Sequence, residues 1–505
     1  MNKILSFLAL AAWSAHTLFA LNNHTNQIYL YTKPSYDALS MQRSSWDAMT
    51  THKRDTGFAL QTMAYAQTSI HKKNQSTAYF TFDDKNTITV NNGTQNAPTY
   101  YNRQNFSRDI LGQWLGLTAD NLTNNAALQI TPEQITCGLI LEISQDLNKF
   151  FELPFFDTLS IGVAMPITNT INKLNFSGSQ ELQKAFAGAY AENITPGQTW
   201  NHALLNTNQQ EVVGVENISI KLQSTYENQH DVLLATTSSL TIPLHDPIAN
   251  KYLFEPMQSY NGHIAVASHI LIQFPLFAPE NSAARLNYYF AAENKWFVKN
   301  TQSRTFEIKN KPYSRYMPIL DRNTQELIPG VNAFTKDCIV DPYNHFYFST
   351  GLRFSYYDSI AEVGYEIWGH PTEGVTIKDT NRWQENRYAI PSMQLQDNGT
   401  LQPQTATTGN ATGDIISSSA STINYVAPAD STDALQNVYI TSTDLNMLTA
   451  SARSVVVHRG YASLSLGKKG PKRDMFLNVG LFLEHSQNNA ALSCWGGWLK
   501  SGFTF

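Results

Sequence analysis

The sequence predicts an all-β chain, a transmembrane antiparallel up-and-down β-barrel of about 12 strands (roughly 10 to 14), with long extracellular loops carrying short helices. Three observations carry that expectation. The chain ends on AALSCWGGWLKSGFTF, residues 490–505, in which Trp495, Gly497, Leu499, Ser501, Phe503 and Phe505 alternate with Gly496, Trp498, Lys500, Gly502 and Thr504. Side chains along a strand alternate between two faces, so one largely apolar face can meet lipid while the other, carrying Lys500, meets a wet interior. A free edge in hydrocarbon would leave backbone groups bare, which requires the last strand to close onto the first. The second observation is that the same alternation recurs along the chain, separated by links that are short and long in turn. The third is composition: charged residues are only 15% of the chain, against about 25% in an average globular protein, and Asn, Thr, Ser, Gln and Tyr fill the difference.

Residues 1–20 carry Lys3, an apolar run from Ile4 to Trp13 and Leu18-Phe19-Ala20, the pattern of a secretory signal peptide. Residues 21–56 form a polar lead-in containing Leu39, Met41, Trp46 and Met49, expected as a periplasmic or plug segment ahead of a barrel at 57–505. The first strand is expected at 57–68. A polar link to Pro132 follows, with helical spacing over 109–117. Ile135, Cys137, Leu139, Leu141 and Ile143 form one face of the second strand, and Leu159, Ile161, Val163, Met165 and Ile167 one face of the third. Leu182, Ala185, Phe186, Ala189 and Tyr190 then make the stripe of an amphipathic helix. Residues 218–223 and 232–242 read as a hairpin turning at 227–230, and 263–273 as the sixth strand. A seventh, weakly patterned, falls within 284–298. Residues 345–357 and 361–368 turn at Asp358-Ser359. The excursion 371–454 has a Thr-, Ser-, Ala- and Asn-rich middle, 398–437, that cannot bury a core. Strands at 460–467, 475–484 and 490–505 complete the set.

Link length tests this assignment. With both termini periplasmic, links after even strands should be short and those after odd strands long. The short links 148–154, 227–230, 358–359 and 467–473 follow even strands; the long ones, 69–134, 169–211, 299–344 and 371–454, follow odd strands. Segments picked for periodicity alone have no reason to sort this way.

A net charge of −5 and a pI near 6.2 provide no basic stripe for nucleic acid. After the leader there is no apolar run of about eighteen residues, the length a membrane helix needs. Cys137, Cys338 and Cys494 are odd in number and far apart, so no disulfide framework is expected. Phosphate-loop, zinc-helix, nucleophile-elbow and calcium-loop patterns do not occur in the sequence. The chain therefore reads as non-enzymatic, with no cofactor and no metal, and His245-Asp246 and His485-Ser486 read as ordinary rim groups.

The blocks KYLFEP (251–256), YNGH (260–263), SRYM (314–317) and NAALSCWGGWLKSGFTF (489–505) resemble an uncharacterised family of large bacterial outer-membrane β-barrel proteins, porin-like in architecture. The likeness spans most of the mature chain and implies a fold and a compartment, with no substrate or catalytic residue. A final strand ending on Phe also resembles the insertion signal of such barrels. That resemblance implies Phe503 and Phe505 as the signal and the barrel assembly machinery as a partner.

By this register Glu142, Lys221, His263, His269, Gln273, Arg353, Glu362, Glu366, Glu484 and Lys500 face the lumen. Lys500 has the best-defined position, with Glu484 on the adjacent strand as its expected partner. A lumen lined by both signs could pass small polar solutes, or its groups could pair with one another and with a plug. The leading expectation is a porin-like channel for small solutes, surrounded by outer-membrane lipid in a Gram-negative cell and reached by signal-peptide export through the periplasm. One alternative is a surface-exposed adhesion or structural barrel without an open pore, suggested by 371–454. The other is a hydrophobic-compound uptake channel with an N-terminal plug and an apolar pocket beneath Trp46.

Overall fold

Twelve antiparallel strands pair in chain order and the last pairs with the first, which closes the sheet. The computed structural model describes residues 27–41, 57–70, 79–81, 87–91, 109–118, 126–151, 156–206, 208–279, 282–395, 401–403, 415–416, 437–469 and 473–504. The expectations for 1–20, Trp46, Met49, Phe505 and nearly all of 398–437 lie outside them. The strands are β1 (Phe58–Ser69), β2 (Ala126–Asp146), β3 (Thr158–Ser177), β4 (Asn217–Glu227), β5 (Leu233–Pro243), β6 (Ala265–Phe277), β7 (Ala284–Phe297), β8 (Asn344–Tyr356), β9 (Ser359–His370), β10 (Val455–Lys469), β11 (Asp474–Ser486) and β12 (Cys494–Thr504). The weakly patterned seventh strand is present at Ala284–Phe297, within the expected 284–298.

The seam runs from Ala59 opposite Thr504 to Ser69 opposite Cys494. Thr62 Oγ1 lies 3.1 Å from Ser501 Oγ across it. Period-two sorting is clear on β11, where Asn478, Phe482, Glu484 and Ser486 are buried while Leu481 and Leu483 are 64% and 59% exposed. Val363, Trp495 and Leu499 are likewise half exposed or more, at 57%, 55% and 50%. So many exposed apolar side chains around one cylinder would be unstable in water and are satisfied by lipid. No helix among the described residues is long and apolar enough to cross a membrane.

Two strands overrun the expectation. β2 and β3 are 21 and 20 residues long, about twice what a bilayer needs, and stand out beyond the sheet on the side of the long links. β2 continues through Pro132, which the sequence reading placed in the preceding link. Pairing with β1 ends at Ile135, so Pro132 lies where β2 is paired on its β3 side alone, a place that tolerates the missing N–H.

Two expected helices are shorter than their spacing suggests. Over 109–117 the chain makes a single 3-10 turn, Gly112–Leu115, stopped by Gly116 in the left-handed region at φ 73°. The amphipathic stripe forms a helix only over Gln180–Phe186, capped by Ser179 Oγ accepting from the Leu182 amide. Gly188 at φ 82° leaves Ala189 and Tyr190 outside it.

The long links cap the outer end, and their buried side chains continue the apolar cluster of the lumen. Residues 300–305, 335–341 and 374–377 form one small sheet, and 318–321, 326–329, 388–390 and 438–439 another. Phe306, Phe334 and Trp383 pack together beneath them, with Phe334 and Trp383 stacked at 6.0 Å. Arg387 grips Asp321 through Nε and Nη2 at 2.7 to 3.1 Å. Buried Arg315 pairs with Glu307 and lies 4.6 Å over the Tyr316 ring. Cys338 sits in this cap, where burial pushes its thiol up to about 12 and keeps it protonated.

Candidate functional site: the lumen and the segment within it

Residues 27–41 lie inside the cylinder, because this one short segment touches inward-facing side chains on opposite walls. Asp37 pairs with Lys295 of β7 and accepts from the Tyr347 hydroxyl of β8 at 2.5 Å. The Tyr36 hydroxyl donates to Glu216, next to β4, at 2.7 Å, and accepts from Asn217 at 2.7 Å. Lys33 reaches Glu484 of β11 at 3.7 Å and lies 4.7 Å over the Trp368 ring of β9. The Ser40 amide donates to Glu366 of β9 at 3.1 Å. Leu39 and Met41 are buried in the main apolar cluster.

The segment descends. Gln27 and Ile28 donate backbone hydrogen bonds to Tyr79 and Thr449 in the outer links. Tyr29 is held by Arg304 stacked 3.2 Å over its ring, with Asn261 donating to its hydroxyl at 2.9 Å and Met257 sulfur accepting from it at 2.7 Å. Tyr31 meets His345 and His370 edge-on at the outer ends of β8 and β9, at 5.3 Å each. Met41 lies against Arg459 and beside Gln61 and Met63, well down the wall. From there the chain must reach Gly57, at the opposite, short-turn end.

The ten residues assigned inward by register fall as follows. Glu142 pairs with Lys221 at 3.2 Å. Arg353 donates to Gln273 at 3.3 Å. Glu362 accepts from Tyr461 at 2.9 Å. Glu366 accepts from Ser40, and Glu484 is clasped by Arg459 at 2.5 and 2.8 Å. His269 stands opposite Glu293. Two assignments need correction. Lys500 is not Glu484's partner: it registers with Asn478, whereas Glu484 registers with Cys494, well up the strand. His263 is not on a strand; it precedes β6 at the outer mouth.

The His263 environment fixes its proton. Gln302 Oε1 accepts from Asn261 at 2.6 Å and from Arg304 at 2.7 and 3.1 Å, which turns the Gln302 amide nitrogen toward the imidazole at 2.8 Å. His263 Nε2 must then accept, and Nδ1 donates to the Val298 carbonyl at 2.8 Å. Burial holds its pKa below the ordinary 6.5, the Val298 carbonyl opposing only in part.

Sequence reasoning missed Lys33, Asp37, Glu293, Lys295 and Arg459, which with Glu484 and Lys221 carry most of the lumen's charge pairing. β7 mixes aromatic and polar residues on both faces, so its charges could not be sorted. Arg459 lies upstream of the expected tenth strand, where inward Val455 and Val457 invert the usual pattern. A cavity of about 60 Å³ remains between the segment and the wall, enough for a few waters. Lys221, Lys295 and Lys500 line it together with Asp37, Glu142 and Glu293, alongside apolar Met41, Met63 and Ile140. Elsewhere on the inner wall rings lie over glycines: Trp498 over Gly480, Phe476 over Gly502 and Tyr461 over Gly364. The rim residues His485 and Ser486 are apart in role: His485 points outward, and the Ser486 hydroxyl donates to the Asn488 carbonyl at 2.6 Å.

A comparison of the sequence with family models and with curated proteins finds no match. In structure the chain is similar to an outer-membrane channel from Pseudomonas putida F1, with TM-score 0.38 and 8% identity over 89% of this chain and 96% of that one. It is also similar to the transport unit of the autotransporter AIDA-I from Escherichia coli, with TM-score 0.31 and 7% identity over 92% and 99%. Scores this low carry no argument about this chain, and the barrel assignment rests on the strand pairing itself.

Proposed function

We propose that this chain is an outer-membrane channel for small polar solutes, held closed by its own residues 27–41. The observation that carries this reading is the chemistry of the contact between segment and wall. Asp37 answers Lys295, Lys33 answers Glu484, and Tyr36 answers Glu216 and Asn217. Buried pairs of this kind add little net stability over water-exposed ions, because desolvation offsets their attraction. Displacing the segment would exchange these pairs for water and expose a polar passage. The balanced signs around the residual cavity favour small polar solutes over hydrophobic ones. Liposome swelling with sugars and amino acids tests the reading. Vesicles holding the chain without residues 27–41 should swell in small polar solutes, while those holding the intact chain swell slowly. Equal, negligible swelling in both, with the barrel folded, would remove the channel reading.

A second reading is surface display, favoured by the folded outer cap with its packed rings Phe306, Phe334 and Trp383. It predicts that trimming within 396–436 abolishes binding to partner surfaces while leaving solute flux unchanged. Retained binding after trimming would count against it.

A further inference from the structure

The direction in which residues 27–41 run has a topological consequence that stands apart from solute passage. The end at Gln27 is tied into the outer links: its amide donates to Tyr79, the next amide donates to Thr449, and Tyr29 is clamped by Arg304, Asn261 and Met257. The end at Met41 lies deep in the barrel beside Arg459 and Gln61, and β1 begins at the far mouth, opposite the end of β12. Chain order therefore runs from the outer cap, down the lumen, to the start of the first strand. A plug inserted from the inner side would run the other way or double back.

We propose that the lumen carries the chain's own amino-terminal end outward, so that whatever precedes Gln27 emerges on the outer side of the membrane. The barrel then presents its own upstream peptide. The Arg304 stack on Tyr29 is the contact that holds the thread in place, with Glu373 accepting from Arg304 at 3.1 Å. The same arrangement means that a pull from the inner side would have to drag the upstream end through the barrel, whereas a ligand gripping that end from outside could act on the segment directly.

The test is labelling of intact cells by a membrane-impermeant maleimide. Cys137, Cys338 and Cys494 are replaced by alanine, and one cysteine is introduced in place of Asn26. Two control chains carry it instead in place of Gly409, in the long link, or of Gln229, in the turn between β4 and β5. Heat-modifiable mobility of each chain on gels confirms a folded barrel. The proposal expects Asn26→Cys to label in whole cells to within about twofold of Gly409→Cys, with Gln229→Cys reacting only after the membrane is opened. Asn26→Cys behaving like Gln229→Cys overturns it. As a second arm free of substitutions, protease added to intact cells should remove the residues before Gln27 from the otherwise uncleaved segment, as read by mass spectrometry. Their removal only in opened cells overturns the proposal as well.

Discussion

Gly480 faces the lumen directly opposite Trp498, and a Cβ there would meet the indole at 2.0 Å. The indole cannot easily give way, because its N–H donates to Asn478 at 2.6 Å. Gly460, on the neighbouring strand, faces outward and has nothing within 4 Å of its Cβ position. Gly480→Val should therefore lower folded stability by about 1–3 kcal/mol, seen as a lower temperature for loss of the heat-modifiable form, whereas Gly460→Ala should change it little. Arg459 and Glu484 pose a different test, since each is buried and each satisfies the other. Removing one alone should cost about 3–5 kcal/mol, and replacing both by apolar residues of similar size less than the sum of the two, with a residual cost because Lys33 loses Glu484 as its partner. A double replacement as damaging as the sum of the singles would show that the pair is not coupled.

His263 contributes to the pH dependence. Its folded pKa lies below the ordinary 6.5, so the folded state resists a proton that the unfolded chain accepts. Stability is then full above pH 6.5 and lost progressively as pH falls below it toward the folded value. Protonation would also set an Nε2 donor against the Gln302 amide. Thermal unfolding in detergent should show a drop in stability between pH 7.5 and 5.5 that His263→Gln reduces; the same drop in both chains would assign it elsewhere. These residue-level contacts were only partly legible in the sequence. Period two identified which side of a strand Glu484 occupies, but it says nothing about which neighbour reaches it, and the partner came from β10 and from residues 27–41.

At the scale of elements, the seam between β1 and β12 makes the sharpest prediction. Thr62 and Ser501 are directly opposed, with their hydroxyl oxygens 3.1 Å apart, a spacing from which paired cysteines can reach disulfide geometry. With the native cysteines replaced, Thr62→Cys with Ser501→Cys should oxidise nearly completely and make the denatured chain run as a closed loop on non-reducing gels. Failure to cross-link in a folded barrel would mean the seam is open. Strands were legible wherever one face meets lipid and the other meets water, as on β11 and β12. The signal faded where both environments change. The overhang of β2 and β3 leaves the bilayer, so over residues 126–134 the apolar side chains, Leu128 and Ile130, point inward and no lipid-facing apolar stripe marks the strand. The outer end of β10 packs against the threaded segment, so its inward positions become apolar. The segment itself has no repeat, because it touches unlike walls residue by residue.

At the scale of the molecule, three layers depend on one another: an apolar belt, a charge-paired lumen, and an outer cap built from the links that hold the start of the segment. Cap and lumen meet at Tyr29 and Arg304, so loosening the cap should free the segment. Arg304→Ala is expected to raise solute flux through the intact chain several-fold, measured against the same chain with Arg382→Ala, an exposed residue of the cap. Unchanged flux in Arg304→Ala would separate the clamp from the gate. The most direct measurement is single-channel recording in planar bilayers, comparing the intact chain with one lacking residues 27–41. The intact chain is expected to give rare or no openings and the shortened one stable conductance steps. Equal steps in both would show that the segment does not close the barrel, and silence in both would show that no passage lies behind it.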